Sequence, residues 1–300
     1  MSDKKMKQGI LVREAKPSDK EAVLRFCEQT FEWGDYIADV WDYWLTDTAG
    51  KIFVATDKDT PVGIVHVTIP KTGEAWLEGA RTAPEYRHRG IASLLNEACI
   101  EFAVEKGAKI ARLITDSTNV VAQSALAKLG FSKISEWALM ELDGCRLEAS
   151  ENVRWAEKSD VHDILRYFDN SECFKKSAGL FTILFRWMTL ETEALKRFIE
   201  RKMALVYEKS SKIEGLLLFD DTVKWAWREN SIQTCYIDGH FIAALNLGKF
   251  LKRHCYNKGI AKIYAAMCNH TPLLKAFSEL GFMNHEHTEL VYEKDLSKRV

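Results

Sequence analysis

The sequence predicts a mixed α/β (α+β) fold built from two tandem copies of one mixed-sheet unit. Three observations predict it. Short strand-like runs alternate with amphipathic helical runs. Three separate stretches recur in the same order in the second half of the chain. The 300 residues, 47% hydrophobic and 28% charged, suffice for two ordinary globular domains.

The repeat is the firmest of these. Val12-Arg13-Glu14-Ala15-Lys16-Pro17-Ser18-Asp19 is echoed by Val153-Arg154-Trp155-Ala156-Glu157-Lys158-Ser159-Asp160. Lys106-Gly107-Ala108-Lys109-Ile110 returns as Lys258-Gly259-Ile260-Ala261-Lys262-Ile263, and Leu129-Gly130-Phe131 as Leu280-Gly281-Phe282. The spacing drifts as loop insertions would make it drift. A polar stretch from Asp143 to Glu151 is the natural boundary, which gives domains 1–145 and 146–300.

Within the first unit, Ile10 to Glu14 alternates as a strand. Ser18-Asp19-Lys20-Glu21 fits the capping box S-x-x-E and opens a helix with Val23, Leu24, Phe26 and Cys27 on its apolar side. Tyr36 to Leu45 reads as a second helix. Ile52 to Thr56 and Val62 to Ile69 read as a hairpin about the turn Asp57 to Thr60. Trp76 to Thr82 is a strand, Ile91 to Glu105 a helix, Ile110 to Thr115 a strand and Val120 to Leu129 a helix ending at Gly130. Ile134 to Leu142 closes the unit. The second unit repeats this order, with a longer helical insertion expected from Phe174 to Arg201.

Bulk properties exclude several classes. A formal net charge of −1 recruits neither nucleic acid nor an anionic membrane. The charged N-terminus is not followed by an apolar run of signal-peptide length. No segment has the ~18 apolar residues of a membrane helix, and Leu180 to Leu190 is too short and carries Arg186. Cys27, Cys99, Cys145, Cys173, Cys235, Cys255 and Cys268 are odd in number and widely spaced, which reads as free, mostly buried thiols in the cytoplasm. His285-Glu286-His287 lacks metal-ligand spacing, so no metal is expected. His66, inside a strand, reads as a packed core histidine, and His88 as a solvated loop residue.

The stretch that carries chemistry is Thr82-Ala83-Pro84-Glu85-Tyr86-Arg87-His88-Arg89-Gly90-Ile91-Ala92. A strand ends, Pro84 stops the pairing, basic side chains follow, and a helix begins. The first turn of a helix leaves about four N–H groups without intrahelical partners, at the positive end of the dipole. Gly90 and Ala92 are small enough for a diphosphate to reach that backbone, and Arg87 and Arg89 can add bidentate contacts.

Arg87-His88-Arg89-Gly90-Ile91-Ala92 fits Q/R-x-x-G-x-G/A, and Asn119-Val120-Val121-Ala122 followed by Lys128-Leu129-Gly130-Phe131 fits N-x-x-A…K-x-G-F. In these motifs the chain resembles the GNAT superfamily of acyl-CoA-dependent N-acetyltransferases, over about residues 10–142 and more weakly to the end. The resemblance implies acetyl-CoA as co-substrate. Its pyrophosphate would be held by the backbone of Arg87, His88, Arg89, Gly90, Ile91 and Ala92, with Ser93. Its pantetheine arm would pair with the strand edge at Ala80, Arg81 and Thr82 and meet Asn119, with Ala122 on the following helix. The Thr82 amide would face the thioester carbonyl, where oxyanion charge develops. The slot for the arm would be the splay between the two strands.

The family often places a tyrosine acid seven residues after that Asn; here the position is Leu126. Glu78, two residues before Ala80, is the candidate general base, expected on the same strand face as Ala80. Trp33, Asp35 and Tyr36 lie where the family walls its acceptor pocket. Asp35 could pair with a substrate ammonium and the aromatics could make cation–π contacts. The expected acceptor is a small-molecule amine. The alternatives are a protein lysine or N-terminus, or a non-catalytic acyl-CoA sensor. In the second unit, Asp238-Gly239-His240-Phe241-Ile242-Ala243 stands where the basic loop should be. An acidic residue there would itself occupy the helix's positive end, so no CoA is expected in that unit. The chain is expected to be a monomer built as an internal pseudo-dimer, or a homodimer.

Overall fold

A computed structural model describes residues 6–7, 9–28, 30, 34–222 and 230–297. The chain forms two compact units. The first contains β1 (Met6–Lys7), β2 (Ile10–Glu14), α1 (Lys20–Cys27), α2 (Ile37–Leu45), β3 (Gly50–Asp57), β4 (Thr60–Lys71) and β5 (Glu74–Thr82). It continues with α3 (Ile91–Glu105), the start of β6 (Ile110–Asp116) and α4 (Val120–Lys128). Its strands lie in the order β1-β2-β3-β4-β5-β6. All neighbours are antiparallel except β5 and β6. From β2 to α4 the elements follow the expected order, preceded by the short β1, and the expected closing strand is counted with the second unit.

The second unit contains β7 (Ser132–Asp143), β8 (Val153–Trp155), α5 (Val161–Asn170), α6 (Glu172–Lys176), β9 (Leu180–Ile183), β10 (Arg186–Thr189) and α7 (Thr192–Glu200). It goes on through β11 (Ala204–Lys209), β12 (Lys212–Asp220), β13 (Ser231–Gly239), α8 (Phe241–Lys258), β14 (Lys262–Cys268), α9 (Thr271–Glu279) and most of β15 (Met283–Asp295). Its order is β15-β7-β14-β13-β12-β11-β8. The stretch expected to be all helical instead holds the β9–β10 hairpin, turned by Leu184 and Phe185 in left-handed conformation.

The two compact units do not divide the sequence at a single point near residue 145. β7, which closes the first repeat in sequence, pairs antiparallel with β14 from Trp137–Cys268 to Asp143–Lys262 and is counted with the second unit. The chain from Tyr292 onward is counted with the first. There Glu293 reaches buried Arg112 at 2.8 Å, and Arg112 also binds Glu74 at 2.7 Å. A linear reading assigns a strand to the repeat that encodes it, and pairing partners are invisible to it.

The repeat itself is reproduced in detail. Arg13 Nη1 and Nη2 donate to Asp19 at 2.7 and 2.9 Å, and Arg154 does the same to Asp160 at the same distances. Asp19 and Asp160 also accept from the backbone N–H of Lys16 and Glu157, each at 2.7 Å. This corrects the Ser18 capping box: the aspartate one residue later closes the turn, because the arginine on the preceding strand draws its carboxylate inward.

Candidate active site

α3 starts at Gly90, whose φ of 78° is left-handed, and no side chain caps the helix. An L-residue with a Cβ is disfavoured there, so Gly90 both turns the chain and leaves the helix end open. Pro84–Tyr86 forms a single 3-10 turn before it, Arg87 is extended, and His88 is left-handed at 64°. Arg87, His88, Arg89, Gly90 and Ala92 are exposed, Ser93 is half-buried, and Ile91 turns inward. Ile91 anchors the helix end on β4: a Cβ on Gly63 would lie 2.9 Å from Ile91 Cγ2 and 3.2 Å from Leu95 Cδ1. The loop is stapled to the β3–β4 turn by the Tyr86 hydroxyl, which donates to Asp57 at 2.9 Å. The Arg89 guanidinium lies 4.8 Å from the Tyr86 ring centroid. The helix end, the glycine and the basic side chains thus fit a diphosphate.

β5 leads into this loop. Its parallel ladder with β6 runs from Glu74–Ile110 to Trp76–Arg112, while β5 itself continues to Thr82. This is the expected splay, rooted on the buried Arg112. On its other edge β5 pairs with β4, with His66 opposite Glu78 and Ile64 opposite Arg81. Gly79 and Ala80 together therefore face Val65, a β-bulge. Gly79 has φ 70°, and a Cβ there would lie 2.5 Å from the Trp44 ring. The bulge corrects the strand-face argument, since counting in twos from Ala80 to Glu78 fails across an inserted residue.

Glu78 is half-buried, and its Oε1 lies 2.9 Å from Nδ1 of His66. His66 is fully buried and stacks on Trp44, ring centroids 4.5 Å apart and planes 8° apart. Its Nε2 lies 3.5 Å from Asp47 Oδ2. The imidazole beside Asp47 holds that carboxyl down to about 2, with help from Thr68 and the Ala49 amide. His66 is the packed histidine expected from its place inside a strand, whereas its carboxylate neighbours were not foreseen and Asp47 was not singled out. The only signal was the spacing of His66 and Glu78 on successive strands, and the bulge and the turn length that set their register could not be read there.

The acceptor-side residues are partly brought together. Asp35 binds Arg81, at 2.6 Å to Nε and 3.3 Å to Nη2, and its side chain is 2% exposed. The carboxylate expected to meet a substrate ammonium thus already holds a guanidinium. Arg81 also lies 5.4 Å from the Tyr36 ring centroid, and Tyr36 packs edge-on to Trp44. Burial pushes the Tyr36 hydroxyl well up. Trp33 lies outside the described residues. Ala122 is half-buried on α4, and Leu126 is buried. Asn119 is exposed in the turn after β6, its N–H bonded to Asp116 O at 3.0 Å, and is counted with the second unit.

In the second unit the corresponding helix end is closed. His240 caps α8, its Nδ1 accepting from Ala243 N at 3.3 Å, and its Nε2 lies 3.2 Å from Glu214. The block was expected from Asp238. That carboxylate instead turns inward, where the hydroxyls of Tyr167, Ser171 and Tyr236 donate to it at 2.8, 2.6 and 2.6 Å. Cys173 adds a thiol bond to the Ile237 carbonyl at 3.4 Å, on the strand that should offer a free edge. Among the described residues no cluster of His, Cys, Asp and Glu could hold a metal, and no helix is long and apolar enough to cross a membrane.

Residues 21–131 match the family model described as the acetyltransferase (GNAT) family. The GNAT match thus spans α1 to the end of α4, the part of the chain that holds the open helix end. A histidine N-acetyltransferase of Xenopus tropicalis is 28% identical to the chain over 110 residues, 33% of this chain and 34% of that protein. The chain thus matches about a third of the length of such curated relatives. A GCN5-related N-acetyltransferase structure from Sphaerobacter thermophilus covers 99% of the chain at TM-score 0.64 and 12% identity, with 98% of its own length matched. A tandem GNAT protein from the clavulanic acid biosynthesis pathway covers 97% at TM-score 0.53 and 11% identity, over 100% of its length. The fold is therefore two tandem GNAT-like units, and the GNAT segment is the one that carries Gly90 and Glu78.

Proposed function

We propose that the chain is an N-acetyltransferase that moves an acetyl group from acetyl-CoA to the amine of a small molecule, working from its first unit alone. The observation that carries this reading is the uncapped α3 N-terminus at the end of a strand that has left its parallel neighbour. The backbone from Arg87 to Ala92, with Ser93, would hold the diphosphate, and the β5 edge at Ala80, Arg81 and Thr82 the pantetheine arm, with Asn119 and Ala122 nearby in sequence. When bound, acetyl-CoA supplies an activated acyl carbon.

The chain's own residues supply the rest. Glu78 takes the proton the amine must lose, directly or through a water. The Thr82 N–H stabilises the oxyanion. Leu126 offers no proton to the departing thiolate, so water or another group must. Asp35 and Tyr36 shape the acceptor wall through Arg81, and Trp33 belongs to the same stretch of sequence. The name of the histidine N-acetyltransferases supports an amino-acid-sized acceptor over a protein one. Free thiols at each cysteine suit the cytoplasm.

The test is thiol release from acetyl-CoA with a panel of amines led by L-histidine and including a lysine peptide, alongside calorimetry of acetyl-CoA. Turnover with a small amine and one bound equivalent per chain are expected. Binding without turnover on any amine would favour the sensor, and turnover only on the peptide would move the acceptor to protein.

A further inference from the structure

The imidazole of His66 is left without a task by the transferase reading, and its surroundings are unusual for a packing residue. The ring is clamped on one face by Trp44. At its edge Gly50 leaves room: a Cβ there would lie 2.8 Å from His66 Nε2 and 2.4 Å from Asp47 Oδ2. The two ring nitrogens face two different carboxylates, Glu78 at 2.9 Å from Nδ1 and Asp47 at 3.5 Å from Nε2. Asp47 is itself fixed, accepting from Thr68 Oγ1 at 2.8 Å and Ala49 N at 2.8 Å. A neutral imidazole has one N–H, and only the doubly protonated ring presents an N–H to both acids. The longer contact is ionic rather than a hydrogen bond. Asp47 therefore acts on the ring by its charge, and the ring acts on Glu78 by a directed bond.

We infer that His66, backed by Asp47, is a positioning residue that carries both ring protons, orients the Glu78 carboxylate and keeps it ionised to receive the amine proton. This rests on Glu78 being the base. In the step itself, the amine nitrogen bonds to the acyl carbon, the carbon–sulfur bond breaks with its electron pair going to sulfur, and the amine proton passes to Glu78. His66 keeps its protons throughout. A cation beside a carboxylate favours its charged form, so the pair lets Glu78 work at lower pH than it otherwise could. The ionisable groups facing the pair are Asp47 from the turn after α2, Glu78 from β5, and Tyr36 with the Arg81–Asp35 pair; β3 presents Ile52 opposite His66.

The experiment uses the full chain with Asp47→Asn and His66→Gln. In 15N-resolved NMR at pH 7, His66 should show two protonated nitrogens in the native chain and one in Asp47→Asn, a readout that needs no turnover. In assays with the most active amine of the panel, both variants should move the acid limb of the kcat/KM profile up by about one pH unit, with KM for acetyl-CoA unchanged. Acetyl-CoA affinity and thermal unfolding report whether each variant folds. If His66 is singly protonated in the native chain, the inference fails whatever the assays show. It also fails if folded Asp47→Asn keeps the native pH profile. If Glu78→Gln turns over normally, the base assignment fails instead, and the NMR result still decides the state of the pair.

Discussion

The same helix end is built twice in this chain, open in one unit and shut in the other. At α3 the cap is a left-handed glycine without a side chain, preceded by exposed basic residues. At α8 the cap is His240, which bonds the Ala243 amide and keeps company with Glu214. The strands before them differ in the same sense. β5 leaves β6 after Trp76 and runs on to the loop. β13 leaves β14 after Thr234, but its continuation is covered by Cys173 and by the hydroxyls that converge on Asp238. A shared framework, marked by the matching Arg13–Asp19 and Arg154–Asp160 pairs, thus accompanies an open helix end in one unit and a capped one in the other. Framework geometry rests on bidentate pairs around a buried aspartate, whereas an anion site rests on what is left uncapped.

The comparison is most easily broken at the chemistry. If only the first unit works, Glu78→Gln should lower turnover by ~10²–10⁴-fold while acetyl-CoA affinity is kept. Asp238→Asn in the second unit should leave turnover per folded chain unchanged. Steady-state kinetics with calorimetry on both variants decides this. Native turnover in Glu78→Gln would remove that residue from the mechanism.

The two units also hold acids of opposite character. Asp47 is held near 2, below its ordinary 3.8, by the His66 imidazole. Its stabilising effect is therefore present above pH 4 and is lost as pH falls toward 2. Glu289 is pushed up to about 7 from 4.5 by burial, with Asp116 adding to it. The folded state holds that proton more tightly than the unfolded chain, so stability falls as pH rises from about 4.5 to 7 and then levels off. Glu289→Gln should remove that decline, a gain of roughly 1–3 kcal/mol at pH 8 and little at pH 4. Denaturant unfolding at the two pH values measures it. An equal effect at both would mean that Glu289 acts through packing.

Much of this was legible in sequence, for identifiable reasons. The elements of the first unit follow from apolar periodicity, and the open turn into α3 from a glycine and basic residues before a helical run. What sequence could not carry was register. The bulge at Gly79 and Ala80, the approach of His66 to Glu78, the pairing of Asp35 with Arg81 and the place of β7 beside β14 all depend on which strand meets which residue. Asp238 shows the same limit. Its charge was visible, but the three hydroxyls that turn it inward come from α5, the start of α6 and its own strand.

A smaller effect is expected at the open cap. Gly90→Asp would place a carboxylate where α3 now offers bare amides, and aspartate tolerates the left-handed backbone better than most residues. Acetyl-CoA affinity should fall about tenfold, and Gly90→Asn, which is neutral with nearly the same shape, should lose less. Calorimetry of both separates charge from backbone strain. Equal losses would assign the effect to strain.

The slightest change tests the closed side. His240→Gly reopens the α8 N-terminus at a cost of only a few tenths of a kcal/mol, because glycine is itself an acceptable N-cap. If the cap alone excluded the cofactor, this variant would bind a second equivalent of acetyl-CoA. The thiol of Cys173 on the Ile237 carbonyl and the hydroxyls on Asp238 would remain in place, filling the strand edge that the pantetheine arm needs. Calorimetry should therefore still count one equivalent, since opening the diphosphate end does nothing for the arm. A second equivalent would show that the side chains packed along β13 yield easily, and that His240 alone keeps the cofactor from the second unit.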